Sequence, residues 1–187
     1  MTPADPFQFA ARIARLLDSL GIRYVIGGSV ASSFYGEPRS TLDLDVMIEA
    51  DEAGARSLAE ALQGEFYVDA DAAVEAVQHG STFNAIHVAS AMKVDFFIAE
   101  NEDAVRTQLD RRRGLDVEDT VLWFYAPEDI IVRKLVWFRM GGEGSERQWN
   151  DVTNVLRVLR DRLDDAYLAR AAEAFGVADL LAHARRQ

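Results

Sequence analysis

With 187 residues, 49% of them hydrophobic, the chain carries enough apolar material for one domain, or for a small domain with a helical appendage. A formal net charge of −11 argues against extended nucleic-acid binding, which depends on neutralising phosphates. The lack of cysteine excludes disulfides, thiolate metal sites and a cysteine nucleophile, and three scattered histidines show no zinc-ligand spacing.

Met1 to Phe7 has neither the basic nor the apolar region of a secretion leader, and no apolar stretch approaches the ~20 residues of a membrane span. A cytoplasmic protein without membrane contact is therefore expected. From Phe7 to Leu20, apolar residues recur at helical spacing (Phe9, Ile13, Leu16, Leu17, Leu20), and Gly21 stops the run. A strand over Arg23 to Gly27 should follow. Ser29 to Tyr35 is short and helix-like, with Ser29 as its N-cap, and Gly36-Glu-Pro38 closes it. Pro38 holds Glu37 extended, so Glu37 to Thr41 should be a loop. Leu42 to Ile48 is a second apolar run. Asp51 caps a helix reaching Leu62, Phe66 to Val68 reads as a short strand, and Asp71 to Gln78 as a helix. Phe83 to Val88 and Lys93 to Ile98 read as paired strands about a turn at residues 89–91, and His87 as a structural histidine. Asn101 to Leu109 reads as a helix, and the basic run Arg111-Arg-Arg113 as a solvated face or a local contact patch. Val121 to Tyr125 has the near-continuous apolar character of a buried strand.

After Ala126-Pro127 the pattern is helical throughout: Glu128 to Arg139, Glu146 to Leu163, Asp165 to Phe175 and Ala178 to Arg185. The expected fold is thus α/β, a mixed sheet with flanking helices. Residues 1–126 form its core, and residues 127–187 form a helical part packed on that core. Gly141-Gly-Glu-Gly144 follows no strand and reads as a turn, not as a phosphate loop.

Chemistry concentrates in two stretches. Alternate residues of a strand share a face, so Asp43 and Asp45 in Leu42-Asp-Leu-Asp-Val-Met-Ile48 lie side by side, roughly 6–7 Å apart. Asp is a poor strand former, and two like charges on one face repel unless something positive separates them. A wet edge strand would accommodate them; so would Mg²⁺, which takes one or two carboxylates plus phosphate oxygens. The upstream Gly27-Gly-Ser29 favours the cation. Glycines between strand and helix admit a ligand to the backbone, and a helix N-terminus attracts phosphate. Asp95 stands mid-strand in Lys93 to Ile98, where a carboxylate requires a partner: a shared cation, or an arginine. Arg39 and Thr41 lie in the loop beside the pair, and Arg39 could meet a phosphate or pair with Asp43 or Asp45.

Gly27-Gly-Ser29, Arg39-Ser-Thr-Leu-Asp-Leu-Asp45 and the later Asp95 resemble the signature of the polymerase-beta-type nucleotidyltransferase superfamily. Arg-x-Thr-x-Asp-x-Asp together with Pro127-Glu-Asp-Ile-Ile-Val-Arg-Lys134 is similar to small bacterial nucleotidyltransferase toxins of abortive-infection systems. The resemblance spans roughly Tyr24 to Leu159. It implies a Mg²⁺-dependent enzyme that moves an NMP, such as AMP from ATP, from an NTP to an acceptor hydroxyl on a protein, RNA end or small molecule. It further implies metal ligands at Asp43, Asp45 and Asp95 in a two-metal site, with Asp95 as general base. Nucleotide contacts would come from Gly27, Gly28, Ser29, Arg39, Thr41 and Lys134, the last reaching the triphosphate unless it is an ordinary surface lysine. A toxin-like role would imply an antitoxin partner. Arg147 and Asp151 resemble a further basic-x-x-x-Asp feature, which a simple ion pair between turns explains equally well. The rival expectation is a non-catalytic module of the same fold that binds a nucleotide or a partner.

Overall fold

The computed structural model describes residues 5–38, 40–100 and 102–186. In chain order the elements are α1 (Pro6–Ser19), β1 (Arg23–Ile26), α2 (Gly28–Tyr35), β2 (Asp43–Glu49), α3 (Glu52–Leu62), β3 (Phe66–Val68), α4 (Ala70–His79), β4 (Thr82–His87), β5 (Lys93–Ile98), α5 (Asp103–Asp110), β6 (Arg113–Val117), β7 (Thr120–Phe124), α6 (Pro127–Met140), α7 (Glu146–Val158), α8 (Asp165–Ala174) and α9 (Ala178–Ala184). The strands join in one mixed sheet of order β3-β4-β5-β2-β1-β7-β6. The α/β class expected from the alternating strand and helix patterns is the one found. Asp5, Asp51 and Asp69 cap α1, α3 and α4 by accepting backbone N–H bonds.

β2 is an interior strand, antiparallel to β1 and parallel to β5. That removes the edge-strand explanation for its carboxylates. Directly paired residues share a face, so the registers resolve one side of the sheet into rows. Asp43, Lys93, Ile86 and Tyr67 form one row, Asp45, Asp95 and Asn84 the next, and Met47, Phe97 and Thr82 a third. The intervening residues Leu44, Val46, Ile48, Val94 and Phe96 point the other way and are buried. There the apolar stripes of α1, α3 and α4 supply Ile13, Leu17, Leu58 and Ala76 to the same core. His87 also points to that side, its Nδ1 2.8 Å from Ser90 Oγ and its ring against Phe9 and Phe66, a structural role.

The C-terminal helices reach the opposite, carboxylate-bearing side. Trp137 of α6 meets the Phe97 ring edge-on at 5.5 Å, and the Tyr125 hydroxyl lies 3.1 Å from Met47 Sδ. On β4 and β3 that side stays open, with Thr82, Asn84, Ile86 and Tyr67 exposed.

Three local expectations need correction. Gly27, not Ser29, is the N-cap of α2, because the helix begins one residue earlier. β6 is an additional strand, paired with β7 from Arg113↔Phe124 to Val117↔Thr120. Its hairpin turns at Glu118-Asp119, with Glu118 at φ +52° and none of the usual Asn-Gly or Asp-Gly signals. The basic run before it is built into the structure. Arg111 pairs with Glu128 at 3.0 Å and lies 3.6 Å from the Tyr167 ring centre, while Arg112 donates to Tyr24 O at 2.9 Å and covers Trp123.

Candidate active site

The turn from β1 into α2 sets the floor of the site. Gly27 N–H donates to Asp45 O at 2.9 Å, and Tyr125 N–H donates to Ile26 O at 3.1 Å, which fixes the end of β1 between its two neighbours. Gly28 has φ +56°, and a Cβ there would overlap the Asp45 carboxylate. Glycine is thus required twice over, by backbone conformation and by space. A Cβ on Gly27 would press on the Tyr125 ring at 3.1 Å. The backbone at the start of α2 is therefore in direct contact with a carboxylate on β2.

Asp45 and Asp95 are register partners on parallel strands, and Asp43 is opposite Lys93. Burial raises the Asp45 pKa; Lys134 opposes the shift, Asp95 and Asp43 add to it, and Lys93 opposes it again. Lys93 Nζ lies 2.7 Å from Asp95 Oδ2 and 3.7 Å from Asp43 Oδ1. The bond to Asp95 is the largest cause of its raised pKa. The partner anticipated for Asp95 was a cation or an arginine, and the side chain that meets it is a lysine two residues earlier on its own strand.

Asp43, Asp45 and Asp95 line a cavity of about 480 Å³ together with Gly27, Gly28, Ser29 and the α6 face Ile130, Arg133, Lys134 and Trp137. Of the nucleotide-contact candidates, Gly27, Gly28, Ser29 and Lys134 meet in this cavity with Asp43, Asp45 and Asp95. Thr41 is not among the lining residues; its hydroxyl accepts from Asp43 N–H at 3.2 Å and lies 3.1 Å from Asp43 O. Arg39 lies outside the described residues.

Lys134 is no ordinary surface lysine. It is 3% exposed, and its Nζ bonds Asp151 Oδ2 at 2.7 Å. Asp151 therefore faces α6, which corrects the expected ion pair with Arg147 one turn earlier on α7. Arg147 instead lines the cavity. Sequence reasoning also passed over Arg133, Tyr125, Trp137 and Gln148. The spacing of Ile130, Arg133, Lys134 and Trp137 at i, i+3, i+4 and i+7 does mark one helix face. Arg133 is held by Gln108, its Nε donating at 2.7 Å, while its Nη2 and the Gln148 Oε1 are buried without a protein partner.

The donor set suits a hard divalent cation. Its ligands would be carboxylate oxygens on one sheet face, and the mutual repulsion of Asp43, Asp45 and Asp95 favours added positive charge. Among the described residues, no group of three or more His, Asp or Glu side chains is already arranged to hold a metal ion.

No family model matches the sequence, and no curated protein matches it either. Solved structures do. An antigenic nucleotidyltransferase-like protein from Paracoccidioides brasiliensis superposes with a TM-score of 0.57 at 19% identity, over 95% of this chain and 90% of that one. The antibiotic-resistance factor ANT(2'')-Ia gives 0.57 at 13% identity, over 94% and 95% of the two chains. The lincosamide antibiotic adenylyltransferase LnuA, bound to lincomycin, gives 0.52 at 15% identity, over 79% and 94%. The chain has the nucleotidyltransferase fold, as the motif resemblance implied.

Proposed function

We propose that the chain is a Mg²⁺-dependent nucleotidyltransferase that moves a nucleotidyl group from an NTP to an acceptor hydroxyl. The carrying observation is that Asp43, Asp45 and Asp95 meet on adjacent parallel strands, with Gly28 packed directly against the Asp45 carboxylate. Asp43 and Asp45 would hold the cation and Asp95 would face the acceptor. When bound, Mg²⁺ would neutralise phosphate charge and polarise the phosphoryl oxygens. The Gly27-Gly28 backbone and Ser29 would hold the phosphates at the N-terminus of α2. Lys134, whose Nζ bonds Asp151 at 2.7 Å, would bring its positive charge to that side of the cavity.

In the transfer, the acceptor oxygen bonds to the α-phosphorus and the bond to the β-bridging oxygen breaks. Pyrophosphate departs, and Asp95 takes the hydroxyl proton. ATP is the first nucleotide to test, because ANT(2'')-Ia has been solved with adenylyl-2''-tobramycin and LnuA is an adenylyltransferase. The same neighbours make a small hydroxylated molecule the first acceptor class. A toxin-like role with an antitoxin partner rests on the Arg-x-Thr-x-Asp-x-Asp resemblance and is tested by growth arrest on expression.

One observation favours the rival, a binding module without turnover: Asp95, the proposed base, is already engaged by Lys93. Calorimetric titration with Mg²⁺ and each NTP, followed by transfer assays with the labelled nucleotide that binds, separates the two. Metal-dependent binding lost in Asp45→Asn, with transfer to an acceptor, supports the enzyme. Undiminished transfer by Asp45→Asn would sink it.

A further inference from the structure

The Lys93 ammonium stands between two of the three carboxylates, 2.7 Å from Asp95 Oδ2 and 3.7 Å from Asp43 Oδ1. The placement follows from the sheet. The parallel register sets Lys93 beside Asp43 in one row and two residues before Asp95 on its own strand, so its side chain spans the gap between rows. Lys93 is partly buried, with 36% of its side chain exposed, and Asp95 retains 21%.

We propose that Lys93 supplies, as a fixed positive charge, what a second divalent cation would supply between Asp43 and Asp95, so that the site takes one exchangeable cation, on the Asp45 side. The proposal rests on the nucleotidyltransferase reading of the same carboxylates. Three carboxylates against one ammonium leave two negative charges, which one divalent cation balances. A cation liganded by the Asp95 oxygen that Lys93 engages would lie against the ammonium, with like charges a few ångströms apart and partly screened from water. Lys134, whose Nζ bonds Asp151 in the buried wall, adds positive charge toward Asp45 and so leaves still less need for a second cation. Lys93 would also act as a positioning residue, holding Asp95 through Oδ2 so that its orientation does not depend on a bound metal.

The test counts Mn²⁺ bound to the full chain, by electron paramagnetic resonance of the free ion. It uses the native protein, Lys93→Gln, Lys93→Arg and Asp45→Asn. One site is expected in the native protein and in Lys93→Arg, and two in Lys93→Gln, with the first site tightened severalfold. Lys93 stands at the open side of the sheet, so both variants should fold, and circular dichroism confirms it. Two sites in the native protein, or one unchanged site in Lys93→Gln, would overturn the proposal while leaving the nucleotidyltransferase reading standing. If no variant binds Mn²⁺, or if Asp45→Asn binds it as the native chain does, the reading of the site itself fails, and the proposal with it.

Discussion

Two acidic clusters in this molecule have nearly the same ingredients and opposite outcomes. Where α5, α6 and α8 meet, Glu128 and Asp129 are almost fully buried at 4% and 0% exposure. Glu128 accepts from Arg111 at 3.0 Å and from Asp164 N–H at 2.8 Å, and Asp129 accepts from the Tyr167 hydroxyl at 2.6 Å. The Arg111 guanidinium covers the Tyr167 ring and closes the cluster. On the sheet, Lys93 meets Asp43 and Asp95, and these face a cavity together with Asp45. The structural cluster is buried among protein donors, with Asp129 Oδ2 3.6 Å from Arg111 Nε and without a hydrogen bond; the sheet cluster keeps an excess of negative charge beside open space. What separates site from scaffold is the open cavity beside the charge and not the number of acidic residues.

Breaking each cluster should therefore do different things. The largest effect is expected for Asp45→Asn, with nucleotidyl transfer down by about 10³-fold or more, as when a principal electrostatic contributor to a transition state is removed, and metal-dependent NTP binding lost by calorimetry. Lys134→Met tests the wall between the clusters. Removing the ammonium that meets the buried Asp151 should lower stability by about 3–5 kcal/mol in urea unfolding. The double variant Lys134→Met/Asp151→Leu should recover most of that stability and none of the transfer activity. Recovery of both would make Lys134 purely structural. Tyr167→Phe, confined to the scaffold cluster, should remove about 1–3 kcal/mol of stability through the lost bond to Asp129, with kcat/KM per folded molecule unchanged. A selective fall in kcat/KM there would erase the distinction between the two regions.

How much of this contrast was legible beforehand depends on the range of the interactions. The strands carrying Asp43, Asp45 and Asp95 follow from period-2 patterning, and the glycine turn from its position between a strand and a helix. That β2 and β5 are adjacent and parallel, bringing Asp45 level with Asp95, is a tertiary outcome that no local pattern encodes. Lys93 escaped notice for that reason: at the head of an apolar run it looks like a solvated strand terminus, and only the register places its ammonium between two carboxylates. β6 was missed because Arg111-Arg-Arg113 reads as a charged surface, whereas its arginines lie over Tyr167 and Trp123. Pro127-Glu-Asp belongs to the family-like segment in which the resemblance assigns a nucleotide contact to Lys134 alone. Its acidic residues belong to the scaffold cluster, while Ile130, Arg133 and Lys134 line the cavity.

The smallest effect carries a sign that sharpens the comparison. Burial, with Asp95 and Asp43 nearby, raises the Asp45 pKa above its ordinary value of 3.8 despite Lys134 and Lys93. The folded state then holds that proton more readily than the unfolded chain, so stability falls as pH rises from about 3.8 through the raised pKa, and the whole penalty is present at neutral pH. Asp45→Asn removes the ionising group. Without metal, it should melt higher than the native protein at pH 7, and the gap should close as pH drops toward 4. Saturating Mg²⁺ should reverse the order at neutral pH, because it stabilises only the chain that retains the carboxylate. Thermal melts of both chains from pH 4 to 8, with and without Mg²⁺, give this directly. If Asp45→Asn melts lower at pH 7 without metal, the protein itself favours the ionised Asp45 carboxylate, and the sheet cluster belongs with the scaffold.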